Sequence, residues 1–150
     1  MIETLSLPAT REPGLCPVVI RRASLEDLGA IVALMHDDPI SAARGDRPEP
    51  GDDANYQTAA AAILAEPRNE LIVLEAREEV IATMQLTSIP GLSRRGSTRL
   101  LVEAVRVAST PRSSGVGGAM MRWLIGAAAP AVGASIPPIK LSKVLLPLPL

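Results

Sequence analysis

The chain has 150 residues, with 15 basic and 16 acidic side chains and a formal net charge of −1. This length fits a single domain with a core of its own. The balanced charge excludes the broad basic surface that holds nucleic acid. Tyr56 and Trp123 are the only aromatic residues, so the rings on which bases stack are also lacking. We therefore predict no nucleic-acid partner.

The cellular compartment follows from cysteine usage and from the distribution of apolar residues. Cys16 is the only cysteine, so no internal disulfide can form, which suits a reducing compartment. The first residues include Glu3 and Arg11 and have no long apolar core, so no signal peptide is expected. The longest uncharged run, residues 123–139, is interrupted by prolines and does not predict a membrane span. We expect a cytoplasmic protein without a membrane anchor.

The predicted elements begin after a flexible leader over residues 1–17, which contains prolines and shows no period. Residues 18–22 are apolar and β-branched at their start, which predicts a short strand. Ser24 and Asp27 then form the pattern of a capping box. The apolar residues up to Met35 recur at helical spacing, so a first helix is predicted here.

A second helix and a hairpin follow a polar loop. Residues 55–66 are rich in alanine and end at Pro67, which predicts a helix. Residues 71–76 and 80–87 are strand-like runs separated by a short charged turn. Their spacing predicts a β-hairpin.

The last regular elements are a strand and a helix joined by a glycine-rich loop. Residues 100–108 are apolar on both faces except at Glu103 and Arg106, which indicates a central strand covered on both sides. Residues 119–129 carry an apolar stripe at helical spacing. The order of elements predicts an α/β (α+β) fold, with a mixed, largely antiparallel sheet flanked by helices.

The composition changes abruptly near Pro130. From Trp123 onward Lys140 and Lys143 are the only charged residues, and no acid follows Glu103. We divide the chain into the leader, a domain over residues 18–129, and an atypical tail rich in proline and leucine over residues 130–150. A shifted reading frame in the gene near codon 129, or a truncation, is our hypothesis for this tail.

The run from Arg112 to Gly118 is a candidate phosphate-binding loop, because small residues precede a helix start. A Walker loop is excluded, since no Lys and Ser/Thr follow the last glycine. A dinucleotide fingerprint is excluded by Met120 and by the lack of a later acid. Arg112, Gly115 and Gly117 do match the pattern R/Q-x-x-G-x-G/A, which acyl-CoA users employ for the diphosphate.

With this loop, its preceding strand and the hairpin, residues 18–129 resemble the GNAT superfamily of N-acetyltransferases. The run from Gln85 to Gly96, followed by the run from Leu101 to Val107, is similar to a bacterial branch that acts on small molecules. The resemblance implies a domain that binds acetyl-CoA and transfers its acetyl group to a small amine by direct attack. It also implies that the usual C-terminal strands and helix of the family are missing from this sequence.

The resemblance implies a role for each matching position of the coenzyme site. Backbone groups of Val105 and Val107 would pair with the pantetheine arm. Arg112 would fix the loop or the phosphates. The diphosphate would be held by successive backbone N–H groups, those of Ser113, Ser114, Gly115, Val116, Gly117 and Gly118.

Glu103 is the candidate catalytic base, as the only acid on its strand. Burial between apolar neighbours would suit it to accept a proton from the amine. An ion pair with Arg99 or Arg106 explains the same residue equally well, and the sequence leaves the two interpretations open.

One catalytic group that the resemblance implies has no counterpart. The family's usual acid for the leaving thiolate is a tyrosine on a later helix, whereas Tyr56 lies in the second predicted helix. A second interpretation is therefore a catalytically impaired remnant that binds CoA or is merely structural. No His, Cys, Asp and Glu cluster has metal-ligand spacing, so no metal is expected. An uncovered sheet edge would favour a homodimer.

Overall fold

The computed structural model of the protein describes residues 9–11, 18–37, 51–109 and 115–131. The polar loop that precedes the second predicted helix lies largely outside these residues. Arg112, Ser113 and Ser114 of the glycine-rich loop and the tail from residue 132 onward also lie outside them.

The described strands form one five-stranded sheet in the order β1-β2-β3-β4-β5, and every neighbouring pair is antiparallel. Each strand therefore lies beside the one that precedes it in the chain. The strands are β1 (Ala9–Arg11), β2 (Val18–Arg22), β3 (Asn69–Ala76), β4 (Glu79–Ile89) and β5 (Arg99–Val107).

Helices flank this sheet and complete the predicted α/β (α+β) class. A short 3-10 turn at Leu25–Asp27 leads into the first α-helix, and a one-turn helix interrupts the link between β4 and β5. The helices are α1 (Leu28–His36), α2 (Asp52–Ala65), α3 (Ser93–Gly96) and α4 (Val116–Ala131). The predicted succession of strand, two helices, hairpin, strand and helix is confirmed.

The start of the first helical segment is fixed by a buried carboxylate. The backbone N–H of Ser24 donates to Asp27 Oδ2 at 2.8 Å, as the capping box predicted. Arg21 of β2 donates to both carboxylate oxygens of Asp27 at 2.8 Å. Its Nε also donates to Glu75 of β3 at 2.9 Å. One guanidinium therefore ties β2, β3 and the turn into α1 together.

The hairpin between β3 and β4 closes on two residues in the left-handed region. Arg77 and Glu78 have φ angles of 52° and 65°, and Ala76 pairs with Glu79 across the turn. A two-residue loop with two positive φ angles matches the right-handed twist of the strands it joins. This turn sets the register of the centre of the sheet.

The two faces of the sheet carry separate apolar cores. Helix α4 covers one face, where Met120, Trp123 and Leu124 pack against β2, β3 and β4. On the opposite face, Ile31 of α1 and Ile63 of α2 pack with apolar side chains of β3. Aliphatic and methionine side chains supply the bulk that phenylalanine usually gives, and Trp123 is the one large ring in the core.

Two expectations about the strands are corrected. Residues 100–108 were expected to form a central strand, but β5 is the outermost strand of the described sheet, and its side chains are half-buried or exposed. The central strand is β3, where the four consecutive residues Leu71, Ile72, Val73 and Leu74 are all buried. No regular element was expected before Val18, yet Ala9–Arg11 pairs with β2.

Candidate functional site

The candidate site begins with an irregularity in β5. Thr83 pairs with Arg106 and Gln85 with Glu103, so Met84 of β4 faces two residues of β5, Ala104 and Val105. Ala104 has a φ angle of 50°. An extra residue in one strand is a β-bulge, and it reverses which backbone groups face the neighbouring strand. The bulge therefore divides β5 into two halves.

In the second half of β5, the backbone of Val105 and Val107 faces away from β4. The N–H of Ala108 donates to the carbonyl of Ile81 on the β4 side at 2.9 Å. Backbone groups of successive residues alternate in direction along a strand, so those of Val107 and Val105 point to the outer edge. The Val105 carbonyl accepts a hydrogen bond from the Arg106 guanidinium at 3.0 Å.

Helix α4 begins directly beside the end of this strand. Gly115 precedes the helix with a φ angle of 78°, a conformation that favours glycine. A Cβ atom added to Gly117 would lie 3.5 Å from Cγ2 of Val107. The strand end and the first helical turn are thus in contact, and a glycine at position 117 keeps the space between them narrow.

The first turn of α4 carries backbone N–H groups for which the described part of the chain offers no acceptor. The first helical hydrogen bond runs from the N–H of Ala119 to the carbonyl of Gly115. The N–H groups of Val116, Gly117 and Gly118 have no acceptor among the described residues. Such a turn attracts anions through free N–H groups and through the positive end of the helix dipole. The geometry therefore suits a negatively charged oxygen.

A cation that the sequence analysis did not single out lies over this turn. A Cβ atom on Gly118 would meet the Arg122 guanidinium at 3.2 Å. Residues four apart share a helix face, so the spacing of Gly118 and Arg122 was the available signal. Arg122 is exposed and brings its positive charge to the end of the helix that already favours an anion.

The predicted coenzyme residues are brought together as far as the structure describes them. Val105 and Val107 lie on the outer edge of β5, and Gly115 to Gly118 lie at the start of α4 next to it. Arg112, Ser113 and Ser114 lie outside the described residues, so their part in the site stays a prediction.

Glu103 is exposed, so the expectation that it is buried is wrong. It lies opposite Gln85 just before the bulge, on a strand that has no described neighbour on its outer side. No described ion pair joins it to Arg99 or Arg106. The carboxylate is therefore open to water and to a partner.

Helix α1 reaches the candidate site from the opposite face of the sheet. Asp37, which follows the helix, accepts a hydrogen bond from the backbone N–H of Ser109 at 2.6 Å. His36 lies 3.3 Å from the hydroxyl of Tyr56, and the two rings are edge to face. The end of α1 thus holds both the start of α2 and the chain just beyond β5.

Solved structures with a similar overall fold identify the fold family. A crystal structure described as a transcriptional regulator from Bacillus halodurans C-125 shares 33% sequence identity, with a TM-score of 0.71 over 78% of this chain and 77% of that one. A GNAT family acetyltransferase from Staphylococcus aureus gives a TM-score of 0.61 at 13% identity over 78% and 82%. A predicted acetyltransferase with acetyl-CoA from Clostridium acetobutylicum gives 0.58 at 19% identity over 76% and 75%.

The described part of the chain has the fold of the GNAT superfamily of N-acetyltransferases. The sequence motif, Arg112 to Gly118, lies in the chain between β5 and the first turn of α4. Several of the similar structures are described as acetyltransferases, so this fold is one that carries acetyl transfer. A scan against protein-family models and a search of curated protein sequences found no match.

Two further observations concern metals and membranes. Within residues 9–11, 18–37, 51–109 and 115–131, no three His, Cys, Asp or Glu side chains are grouped to hold a metal ion. None of the helices described there combines the length and apolarity needed to cross a bilayer.

Proposed function

We propose that the protein transfers the acetyl group of acetyl-CoA to the amine of a small acceptor by direct attack. The observation that carries this proposal is the row of N–H groups at Val116, Gly117 and Gly118, which lack described acceptors. The helical turn that holds them approaches Val107 at Gly117. A diphosphate bound there would place the rest of the coenzyme along the outer edge of β5.

The coenzyme would be held mainly by backbone groups. Val105 and Val107 would pair with the amides of the pantetheine arm, and the residues from Ser113 to Gly118 would donate to the diphosphate. Arg112 and Arg122 would add positive charge near the phosphates. The Val105 carbonyl has two lone pairs, so its hydrogen bond from Arg106 leaves one for a coenzyme amide.

The chemistry needs a base, an oxyanion donor and a proton for the thiolate. The neutral amine attacks the thioester carbonyl, the carbon–sulfur bond breaks, and CoA leaves as a thiolate. Glu103 would remove the amine proton through a water, which its exposure allows. A backbone N–H near the bulge would stabilise the oxyanion, and solvent would protonate the thiolate.

A small amine is the proposed acceptor because acids lie at the start of α2. Asp52 and Asp53 occupy its first turn, on the helix that packs beside α1. Negative charge there would attract a cationic amine before it loses its proton. The acceptor is thereby expected to reach Glu103 from the side of α1 and α2.

A catalytically impaired remnant is the second candidate function. The only tyrosine, Tyr56, lies on α2 and contacts His36, so the described chain offers no phenol beside Val105 and Val107. Such a remnant would bind CoA without turning it over, or serve only as a structural domain.

Calorimetry with acetyl-CoA, followed by a thiol-release assay with a panel of small amines, separates these functions. Binding with amine-dependent thiol release supports the acetyltransferase, and binding without release supports the remnant. If acetyl-CoA does not bind, both the acetyltransferase and the CoA-binding remnant are contradicted, and only the structural domain is left.

A pair of variants tests the site itself. Gly117→Leu would place a side chain between the first turn of α4 and Val107, so we expect at least tenfold weaker acetyl-CoA binding, or roughly 1.4 kcal/mol. Gly126→Leu is the matched control, since Gly126 lies on the same helix with open space around it. Glu103→Gln should retain binding and lose turnover.

Two predictions from the sequence remain part of the proposal. Self-association through the outer edge of β5 would give a homodimer, because an open strand edge offers unpaired backbone groups. A cytoplasmic location fits the single cysteine.

A further inference from the structure

The first half of β5 presents its backbone to the outer edge at Leu100 and Val102. The N–H of Ser88 donates to the carbonyl of Arg68 on the β3 side of β4, so the neighbouring Thr87 directs its backbone groups toward β5. Thr87 pairs with Leu101. Because directions alternate along a strand, Leu100 and Val102 face away from β4, and no described strand pairs with them there.

In this half of β5, two oppositely charged side chains flank Leu101, each two residues away from it. Arg99, Leu101 and Glu103 are exposed and share one face of the sheet, and Leu101 retains 38% of its accessible surface. A cation and an anion thus stand at equal distances on either side of an apolar residue. Such a strand is complementary in charge to an antiparallel copy of itself.

We propose that β5 pairs with β5 of a second copy of this chain, antiparallel and with the two-fold axis at Leu101. Leu100 would exchange backbone hydrogen bonds with Val102 of the partner subunit, and Val102 would do so with Leu100 of the partner subunit. Each Glu103 would face Arg99 of the partner subunit. This inference rests on the proposed self-association and gives it a defined register.

The competing registers lose the charge pairs. A two-residue shift that preserves the directions of the backbone groups places Leu101 opposite Glu103 in one direction, or Arg99 opposite Leu101 in the other. Only the register centred on Leu101 joins each arginine to a glutamate. It also gives the ion-pair interpretation of Glu103 a partner, since no ion pair with Arg99 forms within the described chain.

The bulge limits the length of this interface. Backbone directions reverse at Ala104, so regular pairing centred on Leu101 ends there and does not extend to Val105 and Val107, the residues proposed to contact the coenzyme. A carboxylate has two oxygens, so a contact with Arg99 of the partner subunit leaves the second oxygen of Glu103 for a water or an amine. Dimer formation and acetyl-CoA binding are therefore compatible.

Charge reversal tests the proposed pairing through the molecular mass in solution. Sedimentation should show a dimer for the unaltered chain, and Arg99→Glu or Glu103→Arg alone should raise its dissociation constant at least tenfold, because each places like charges opposite each other. The double variant R99E/E103R restores opposite charges and should restore the dimer. Circular dichroism verifies that each variant is folded.

Cysteine cross-linking tests the register. In C16S/L101C the two introduced thiols would lie across the two-fold axis, at a Cα separation of about 4.5 Å, within the range for a disulfide. Mild oxidation should give a covalent dimer. C16S/E103C, whose cysteines lie apart in this register, and C16S/I125C on exposed helix α4 should stay uncross-linked.

Each outcome has a definite meaning. A dimer that cross-links through position 103 but not 101, or whose double charge variant is not restored, overturns the register while leaving self-association intact. A monomer at high concentration overturns both, as it would if another segment of the chain covered β5. Acetyl-CoA binding by that monomer would show that the proposed coenzyme site does not depend on the dimer.

Discussion

Asp27 is a nearly buried carboxylate whose charge is balanced by one arginine. Hydrogen bonds from Arg21 lower its pKa from 3.8 to about 2, and the Ser24 N–H adds to this, while burial opposes it. A carboxyl group whose pKa is lower in the folded state stabilises the fold only while it is ionised.

Acid titration of stability tests this carboxylate. Stability from Asp27 is fully present above its unfolded pKa of 3.8 and is lost as the pH falls toward 2. The contribution at neutral pH is about 2 kcal/mol. We expect Asp27→Asn to lower the free energy of unfolding by a similar amount at pH 7 and to flatten its pH dependence below pH 4. An unchanged acid limb in the urea denaturation series would contradict this assignment.

Asp37 is expected to position the strand end that leads to the coenzyme site. Its hydrogen bond to Ser109 fixes the chain two residues beyond Val107, so Asp37→Ala should weaken acetyl-CoA binding by about tenfold. Asp37→Asn retains an acceptor oxygen and should recover most of the affinity. Calorimetry on both variants, with exposed Asp53→Ala as control, measures the effect. Equal affinities for all three would refute a positioning role for Asp37.

Among the elements, the bulge in β5 is the most unusual. Ala104 adopts a positive φ angle that costs a non-glycine residue about 1 kcal/mol. This strained residue lies directly before the half of β5 in which the backbone groups of Val105 and Val107 face the outer edge. The bulge thus links a local conformation to the proposed coenzyme contacts.

Substitutions at Ala104 should separate strain from packing. Ala104→Gly removes the steric conflict and should leave the free energy of unfolding equal or higher. Ala104→Val adds a β-branched side chain to a left-handed conformation and should lower it by more than about 1 kcal/mol. Chemical denaturation of both variants measures the difference. A valine variant as stable as the glycine variant would rule out the strained conformation.

Local patterns predicted most of the elements, because each depends on nearby residues. The Ser24–Asp27 capping box, the hairpin and the apolar stripe of α4 all formed as expected. Nothing in the sequence predicted the bulge, because an alanine at position 104 does not indicate a positive φ angle. The predicted central position of β5 in the sheet was wrong, because an apolar pattern on both faces of a strand does not reveal which strands lie beside it.

At the scale of the whole molecule, α4 is held to the sheet chiefly through its apolar stripe. Trp123 is 4% exposed and packs in the core of that face. Because the same helix begins at the candidate anion site, its docking sets the position of the N–H groups against Val107.

Truncation of this ring should loosen the whole domain. Trp123→Ala should lower the free energy of unfolding by about 3–5 kcal/mol, a large share of a domain's stability. Ile125→Ala, at an exposed position of the same helix, should change it by less than about 1 kcal/mol. Urea denaturation followed by circular dichroism compares them. Similar losses for both variants would mean that α4 is not docked through Trp123.

Calorimetric titration of the unaltered protein with acetyl-CoA measures directly whether a coenzyme site exists at the start of α4. We expect one saturable site per chain, weakened at least tenfold by Gly117→Leu and unaffected by Gly126→Leu. Absence of binding, or binding that both leucine variants leave intact, would contradict a coenzyme site at the start of α4.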